Sequence, residues 1–201
     1  MKTLCIDTAH KHLVIVLSED DKLVTSSCEV CWKKQSETMF PTLIALMEEA
    51  KWSVEDLDQI VITDGPGSYT GVRIAMSMAK VLCTRKNIPL YVVSTLALYA
   101  GLQPNVFVMN DARSKRAYCA HYDKGSLVGE ECILTLDEIK EYVSTHDVTV
   151  LGDGELIDQE VSSVDFAQNF IDLIPTAKHV DNVHTLVPRY LKENDAYMVK
   201  S

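Results

Sequence analysis

The stretch from Asp64 to Lys80, DGPGSYTGVRIAMSMAK, gathers the residue types in this chain best suited to chemistry. Gly65, Gly67 and Gly71 punctuate a turn that also contains Pro66. Glycine accepts positive φ and has no side chain, so such a turn bends sharply and lets another group come close. A helix-forming run follows at once. The free N–H groups at its start suit either an anion or a tightly packed neighbour. The spacing G-x-G-x-x-x-G is not the dinucleotide fingerprint, and no Lys-Ser or Lys-Thr follows the last glycine as a P-loop requires. Ser68 sits in a strand-to-helix turn, but the nucleophile-elbow spacing fails because Gly67 immediately precedes it. Ser68 or Thr70 is expected to cap the helix instead. Arg73 falls in the first helical turn, against the dipole, which calls for a specific partner: a carboxylate elsewhere in the chain or one across an interface.

Other reactive side chains are scattered. The cysteines are Cys5, Cys28, Cys31, Cys83, Cys119 and Cys132. Cys28-x-x-Cys31 is the only pair close in sequence. It lacks the second Cys or His pair that zinc needs, and it lies in or just after a strand, not at an activating helix N-terminus. Ordinary reduced thiols are expected. His10-x-His12 lacks a third ligand and reads as surface histidines in a turn. No metal and no catalytic residue is assigned to this chain.

These residues are positioned by an alternating α/β chain. Residues 2–7, 13–17 and 22–30 read as strands, with a polar turn at Ser18–Lys22. A helix over 36–50, a strand over 59–63, a helix over 70–86, a strand over 90–93 and a helix over 95–101 follow. Gln103-Pro104 breaks the pattern and the order starts again: strands at 105–110, 116–122 and 126–132, a helix at 136–144, a strand at 148–151. Beyond it lie an acidic helix candidate, Glu155–Ser162, and a short strand candidate, Ile171–Ile174. The order βββαβα followed by a shortened βββαβ predicts two lobes, 1–102 and 103–201, with 188–201 packing back on the first. Asp7 follows the first strand of one half and Asp111 the first strand of the other. In a duplicated three-layer fold the two loops would face each other across a cleft; the alternative is that both are strand-ending turn residues.

Two helices carry more apolar surface than one sheet face needs. On 36–50, Met39, Leu43 and Leu46 form one stripe and Phe40, Ile44 and Met47 the next, an arc wider than about 100°. On 70–86, only Arg73, Ser77, Lys80 and Thr84 are polar along one line, while Val72, Met76, Met78 and their neighbours fill the rest. Either the chain itself covers the second face or a partner does, and methionine suits adaptable protein surfaces.

Apolar residues make up 47% and charged residues 24% of the 201, as in ordinary globular chains. The net charge is −10, with 19 Lys and Arg against 29 Asp and Glu. That balance argues against tight RNA binding by this chain alone, since a stand-alone binder shows a basic face. No apolar run reaches the roughly 18 residues of a membrane span. The first residues do not resemble a signal peptide, so a cytoplasmic location is expected.

The segment GPGSYTGVRIAMSMAK closely resembles the GPGS[FY]TG[LV]R segment of the TsaB (YeaZ-like) family. So do the opening strand through Asp7-Thr8, Ser36-Glu37, Val93–Leu96, Asp111-Ala112-Arg113 with Tyr118, Gly152-Asp153-Gly154 and Pro188–Lys192. Gln35 stands where many members carry His. The resemblance implies an actin-like ATPase (ASKHA, ribonuclease H-like) α/β fold of two duplicated lobes. It implies a non-catalytic partner of the threonylcarbamoyltransferase TsaD, which transfers threonylcarbamoyl from threonylcarbamoyl-AMP to adenosine 37 of ANN-decoding tRNAs. TsaD carries H-x-x-x-H where this chain has Thr95 and Tyr99. Asp7, Thr8, Gly65, Gly67, Asp111 and Arg113 then mark degenerate nucleotide loops, with an Asp111–Arg113 pair occupying a phosphate's place. ATP and metal are expected on partner subunits, not here. The implied partners are a TsaD-like paralogue, a TsaE-like ATPase and tRNA through the complex, with a homodimer when alone. The implied interface uses the two apolar helices, at Met39, Phe40, Leu43, Met47, Arg73, Met76 and Lys80. The alternative is an autonomous enzyme of the actin-like superfamily, a phosphotransferase or a peptidase.

Overall fold

The structure, a computed structural model, describes residues 1–31 and 34–191. The chain opens as an antiparallel meander of β1 (Lys2–Asp7), β2 (His12–Glu19) and β3 (Lys22–Val30). Helix α1 (Gln35–Ala50) crosses to β4 (Gln59–Thr63), which pairs parallel to β1. Helix α2 (Tyr69–Lys86) crosses to β5 (Leu90–Val93), parallel to β4, and α3 (Thr95–Ala100) follows. The pattern then repeats. β6 (Val106–Arg113), β7 (Arg116–Asp123) and β8 (Ser126–Thr135) form a second meander, and α4 (Leu136–Thr145) leads to β9 (Thr149–Gly152), parallel to β6. Last come α5 (Phe166–Leu173) and the two-residue β10 (Lys178–His179), which adds antiparallel to β5. The sheets run β10-β5-β4-β1-β2-β3 and β8-β7-β6-β9, so the core of the first order returns in the second.

Strand alternation sorts the core into layers. Leu4, Ile6, Leu13, Ile15, Ile60 and Ile62 face α1 and α2. Cys5, Val14, Val16 and Val61 face the other way, onto α3, α5 and the inner face of the second sheet at Val106, Val108 and Ala120. The outer face of the second sheet, with Phe107, Met109, Ala117 and Cys119, is covered by Ile139 of α4. The order of layers is therefore helices, sheet, helices, sheet, helix, with the pairs α1/α2 and α3/α5 flanking the first sheet.

The chain beyond β9 differs from its sequence reading. Residues 154–157 form a single 3-10 turn where a helix was expected over 155–162. The expected strand 171–174 is the end of α5, started by Asp165, whose Oδ1 accepts from Gln168 N at 3.0 Å. Phe166, Phe170 and Leu173 bury one face of that helix, a spacing that fits a helix and not a strand. Although 103–201 reads as one lobe in sequence, α5 packs on α3, β2 and β3, and β10 extends the first sheet. Pro188–Leu191 also return to the first lobe, while Lys192–Ser201 lie outside the described residues.

Candidate functional site

The turn between β4 and α2 is filled by the chain itself. Ser68 N donates to Ala9 O at 2.7 Å, and Thr8 Oγ1 donates to Gly71 O at 2.7 Å while accepting from Ala75 N at 3.1 Å. Ser68 Oγ caps α2 by accepting from Gly71 N at 3.2 Å. A Cβ on Gly67 would stand 2.4 Å from Ala9 O, and one on Gly71 2.2 Å from Thr8 O. These glycines are small because the Thr8–Ala9 backbone lies against them. Gly65 sits at φ +116° with Arg189 O closest to its open side. Of the two close neighbours the sequence allowed, an anion or packed chain, packed chain occupies the turn, and the N–H groups of Ser68 and Gly71 are already bonded.

Above the turn a cleft of about 620 Å³ opens between the two halves. Its walls include His10, Gln35, Ser68, Thr70, Asp111 and Arg113. Asp111 and Arg113 are exposed, and they meet through the Arg113 main chain, Arg113 N donating to the Asp111 side chain at Oδ1, 2.7 Å. The expected side-chain pair is thus corrected to a local turn at the end of β6, where Arg113, Ser114 and Lys115 all adopt positive φ.

The floor of the cleft is a buried polar cluster. His10 is 7% exposed, and its Nε2 meets Asp153 Oδ2 at 2.9 Å while its Nδ1 meets Tyr99 Oη at 2.8 Å. Asp153 also accepts from Lys11 Nζ at 2.9 Å and from Asp111 N at 2.8 Å. Burial pushes the Asp153 carboxyl up, but His10, Asp111 N and Lys11 outweigh it and hold it below the usual carboxylate range. His12 Nδ1 lies 3.3 Å from the same Tyr99 hydroxyl, and burial beside Lys11 and His10 lowers its pKa to about 4. Gln35 Nε2 donates to His10 O at 2.9 Å, so the residue that departs from the family pattern is buried and ties α1 to this loop. Asp7 is fully buried behind the loop. Its Oδ1 accepts from Thr63 Oγ1 and from Ala9 N at 3.0 Å, and its Oδ2 has no partner. Burial raises its pKa against those two bonds. His10 is therefore not the surface turn histidine read from the sequence. Among the described residues, no group of three or more His, Cys, Asp or Glu could hold a metal ion.

A second cluster clamps the two halves together. Arg189 Nε donates to Asp64 Oδ1 at 3.2 Å, its guanidinium to Gly65 O at 2.6 Å, and its Nη1 to Glu131 of β8. Glu131 Oε1 also accepts from Tyr122 Oη at 2.7 Å and from Ser94 Oγ. Arg73 has a different kind of partner from the expected carboxylate: Tyr190 Oη at 3.3 Å, with the Tyr69 ring 4.3 Å from its guanidinium carbon.

The apolar helices divide differently from the sequence reading. Met39, Leu43, Met47 and Met76 are buried in the chain's own core, because the first sheet and the sister helix cover them. Outside remain Phe40 and Ile44 on α1 and Val81 on α2, 52%, 56% and 64% exposed, besides Tyr69 at the start of α2. Phe40 and Ile44 rim an apolar groove of about 330 Å³, floored by Leu43, Met47, Trp52 and Leu82. Lys80 is engaged too, donating to His184 O at 3.2 Å and Leu186 O at 2.7 Å.

Sequence reasoning missed His10, Tyr99 and Asp153 as one cluster, and Asp64, Glu131 and Arg189 as another. The signals were present, as the two histidines after β1 and the Gly152–Gly154 motif. No local spacing links residues that far apart in the chain.

Residues 27–171 match the family model of TsaD, described as tRNA N6-adenosine threonylcarbamoyltransferase. The tRNA threonylcarbamoyladenosine biosynthesis protein TsaB of Bacillus subtilis (strain 168) is 29% identical, over 98% of this chain and 96% of that one. TsaB of Escherichia coli (strain K12) is 30% identical over 65% and 60%. Among solved structures, YeaZ from Pseudomonas aeruginosa superposes with a TM-score of 0.78 at 23% identity, covering 94% of this chain and all of that one. Ethanolamine utilization protein EutJ from Carboxydothermus hydrogenoformans gives 0.52 at 11%, over 86% and 88%. With the paired sheets, these likenesses establish the actin-like α/β fold. Among the described residues, no helix is long and apolar enough to cross a membrane.

Proposed function

Since the chain belongs to the family of the tRNA N6-adenosine threonylcarbamoyltransferase TsaD, and the Bacillus subtilis TsaB aligns over nearly its whole length, we propose that it is the non-catalytic subunit that activates a TsaD-like paralogue. In this reading the paralogue transfers threonylcarbamoyl from threonylcarbamoyl-AMP to adenosine 37 of ANN-decoding tRNAs. ATP and metal belong to the partner subunits, including a TsaE-like ATPase. The net charge of −10 leaves tRNA phosphate contacts mainly to the rest of the complex.

The observation that carries the reading is the self-filled glycine turn. Ser68 N and Gly71 N are bonded within the chain, and the Thr8–Ala9 backbone packs against Gly67 and Gly71. The exposed Phe40, Ile44 and Val81 supply a surface for the paralogue, or for a second copy when the paralogue is absent.

Co-expression with a TsaD-like protein, followed by size exclusion and a threonylcarbamoyl-transfer assay on tRNA, tests this. The expected result is co-elution, with transfer only when both chains are present. ATP hydrolysis or ATP-induced thermal stabilisation of the purified chain alone, lost on changing Asp7 or Asp111, would instead favour the autonomous-enzyme reading.

A further inference from the structure

On β7 and β8, Cys119 and Cys132 stand directly opposite each other in the antiparallel register. Their Sγ atoms are 3.6 Å apart, and both are free thiols. Directly opposed residues in an antiparallel pair have Cα atoms about 4.5–5.5 Å apart, inside the range a disulfide spans. Closing the sulfurs to bonding distance needs side-chain rotation, not backbone movement. We propose that Cys119 and Cys132 form a peroxide-responsive dithiol that closes to a cross-strand disulfide.

The two thiols have distinct roles. Cys119 is fully buried against α4, whereas Cys132 is partly exposed. Cys119 Sγ also has Cys132 O within 3.7 Å, so its proton is held between the two strands. The thiol–thiol hydrogen bond lowers the Cys132 pKa and, with burial, raises that of Cys119. Cys132, the more exposed of the two, is therefore the thiol that peroxide reaches first. Its sulfur attacks one peroxide oxygen, giving a sulfenic acid and releasing hydroxide, which takes up the proton lost from Cys132 to become water. The Cys119 sulfur then attacks the Cys132 sulfur, and the hydroxyl leaves with the Cys119 proton as a second water. Two thiols are oxidised by two electrons and one peroxide is reduced to two waters. The new bond would tie β7 to β8 one residue from Glu131, which anchors the Arg189 clamp.

The test is hydrogen peroxide titration of the full chain, alkylation and tryptic mapping. Cleavage after Arg116, Lys124 and Lys140 puts the two cysteines on separate peptides, 117–124 and 125–140. The expected product is one linked species, two hydrogens lighter than the sum, returned to two peptides by dithiothreitol. The exposed Cys28 and the buried Cys5 and Cys83 serve as internal references. Cys119→Ser should give a dimedone-trappable sulfenic acid at Cys132 and no linked species, and Cys132→Ser should give neither. Over-oxidation of Cys132 without linkage in the wild-type chain, or linkage no faster than scrambled pairs with Cys28, overturns the proposal. The wild-type map decides even if a variant fails to fold.

Discussion

Replacing Ile44 by Glu should disrupt assembly while leaving the folded chain intact. Ile44 is 56% exposed and sits on the outward side of α1, so in the free chain the new carboxylate remains in water. Glu is at least as good a helix former as Ile, and exposed changes of this kind stay within about 0.5 kcal/mol. If a partner covers this face, the balance changes. Burying an Ile contributes on the order of 2 kcal/mol, and stripping water from an unpaired carboxylate costs several more. At about 1.4 kcal/mol per tenfold, the complex should weaken by at least roughly 100-fold. Leu43→Glu makes the contrast. Leu43 is 8% exposed and faces the first sheet. Truncating such a residue costs about 2–5 kcal/mol, and a buried charge adds to that, against a total stability of about 5–15 kcal/mol. That variant should unfold, which makes it useless as an interface probe. The assay is urea denaturation of each free variant, then titration calorimetry or size exclusion against a TsaD-like protein. If Ile44→Glu and Phe40→Glu both fold and both bind within threefold of wild type, this face is not the interface.

Gly71→Ala should destabilise the chain by roughly 2 kcal/mol despite alanine's better helix propensity, because its Cβ would meet a backbone oxygen, Thr8 O, at 2.2 Å; a thermal melt unchanged from wild type would show that the loop yields freely. Asp153→Asn should cost stability at neutral pH. Because the Asp153 carboxyl is held low in the folded chain, its contribution is complete above about pH 4 and is lost as pH falls through its folded value. The wild-type advantage should therefore narrow on acidification, as urea midpoints between pH 7 and 3 would reveal. Asp7 has the opposite sign: burial raises its pKa, so wild type should lose stability relative to Asp7→Asn as pH rises through the folded value. A difference that is flat with pH would mean the carboxyl titrates alike in the folded and unfolded chain, and would refute the upward shift.

Much of this was legible one element at a time. β1 to β4 alternate cleanly, the glycine turn announces the start of α2, and the repeat of three strands and a helix gives the fold class. What failed shares a cause: the missing information lay in another part of the chain. A helix that is apolar nearly all round must be buried nearly all round, but its own sequence does not say by what. The sheet and the sister helix take Met39, Leu43, Met47 and Met76, and leave Phe40, Ile44 and Val81 outside along the two helices, with Tyr69 exposed at the start of α2. In the same way, His10 reads as a turn histidine until Asp153 is brought to 2.9 Å from it. Helix α5 was the exception, a local failure. Its Asp165 cap and its Phe166, Phe170, Leu173 spacing are readable, but the short apolar run Ile171–Ile174 reads equally as a strand.

The cleft and the outer helices are linked through α2. Its N-terminal turn is held by Thr8 and Ala9, its middle by Lys80 on His184 O and Leu186 O, and its first exposed turn by Tyr190 on Arg73. An anion that took the place of the loop against the glycine turn would have to displace Ala9 O from Ser68 N and part Thr8 from Gly71 and Ala75, giving up about 1 kcal/mol for each bond left unmade. Any such ligand would also meet the Asp111 carboxylate on the facing wall. Those contacts fix α2 on the first sheet without a ligand, and α2 in turn backs the groove at Leu82 that Phe40 and Ile44 rim. A chain whose glycine turn is packed by its own Thr8–Ala9 backbone holds α2, and the outer face α2 backs, in place without a ligand. The activating role proposed above needs such a standing surface.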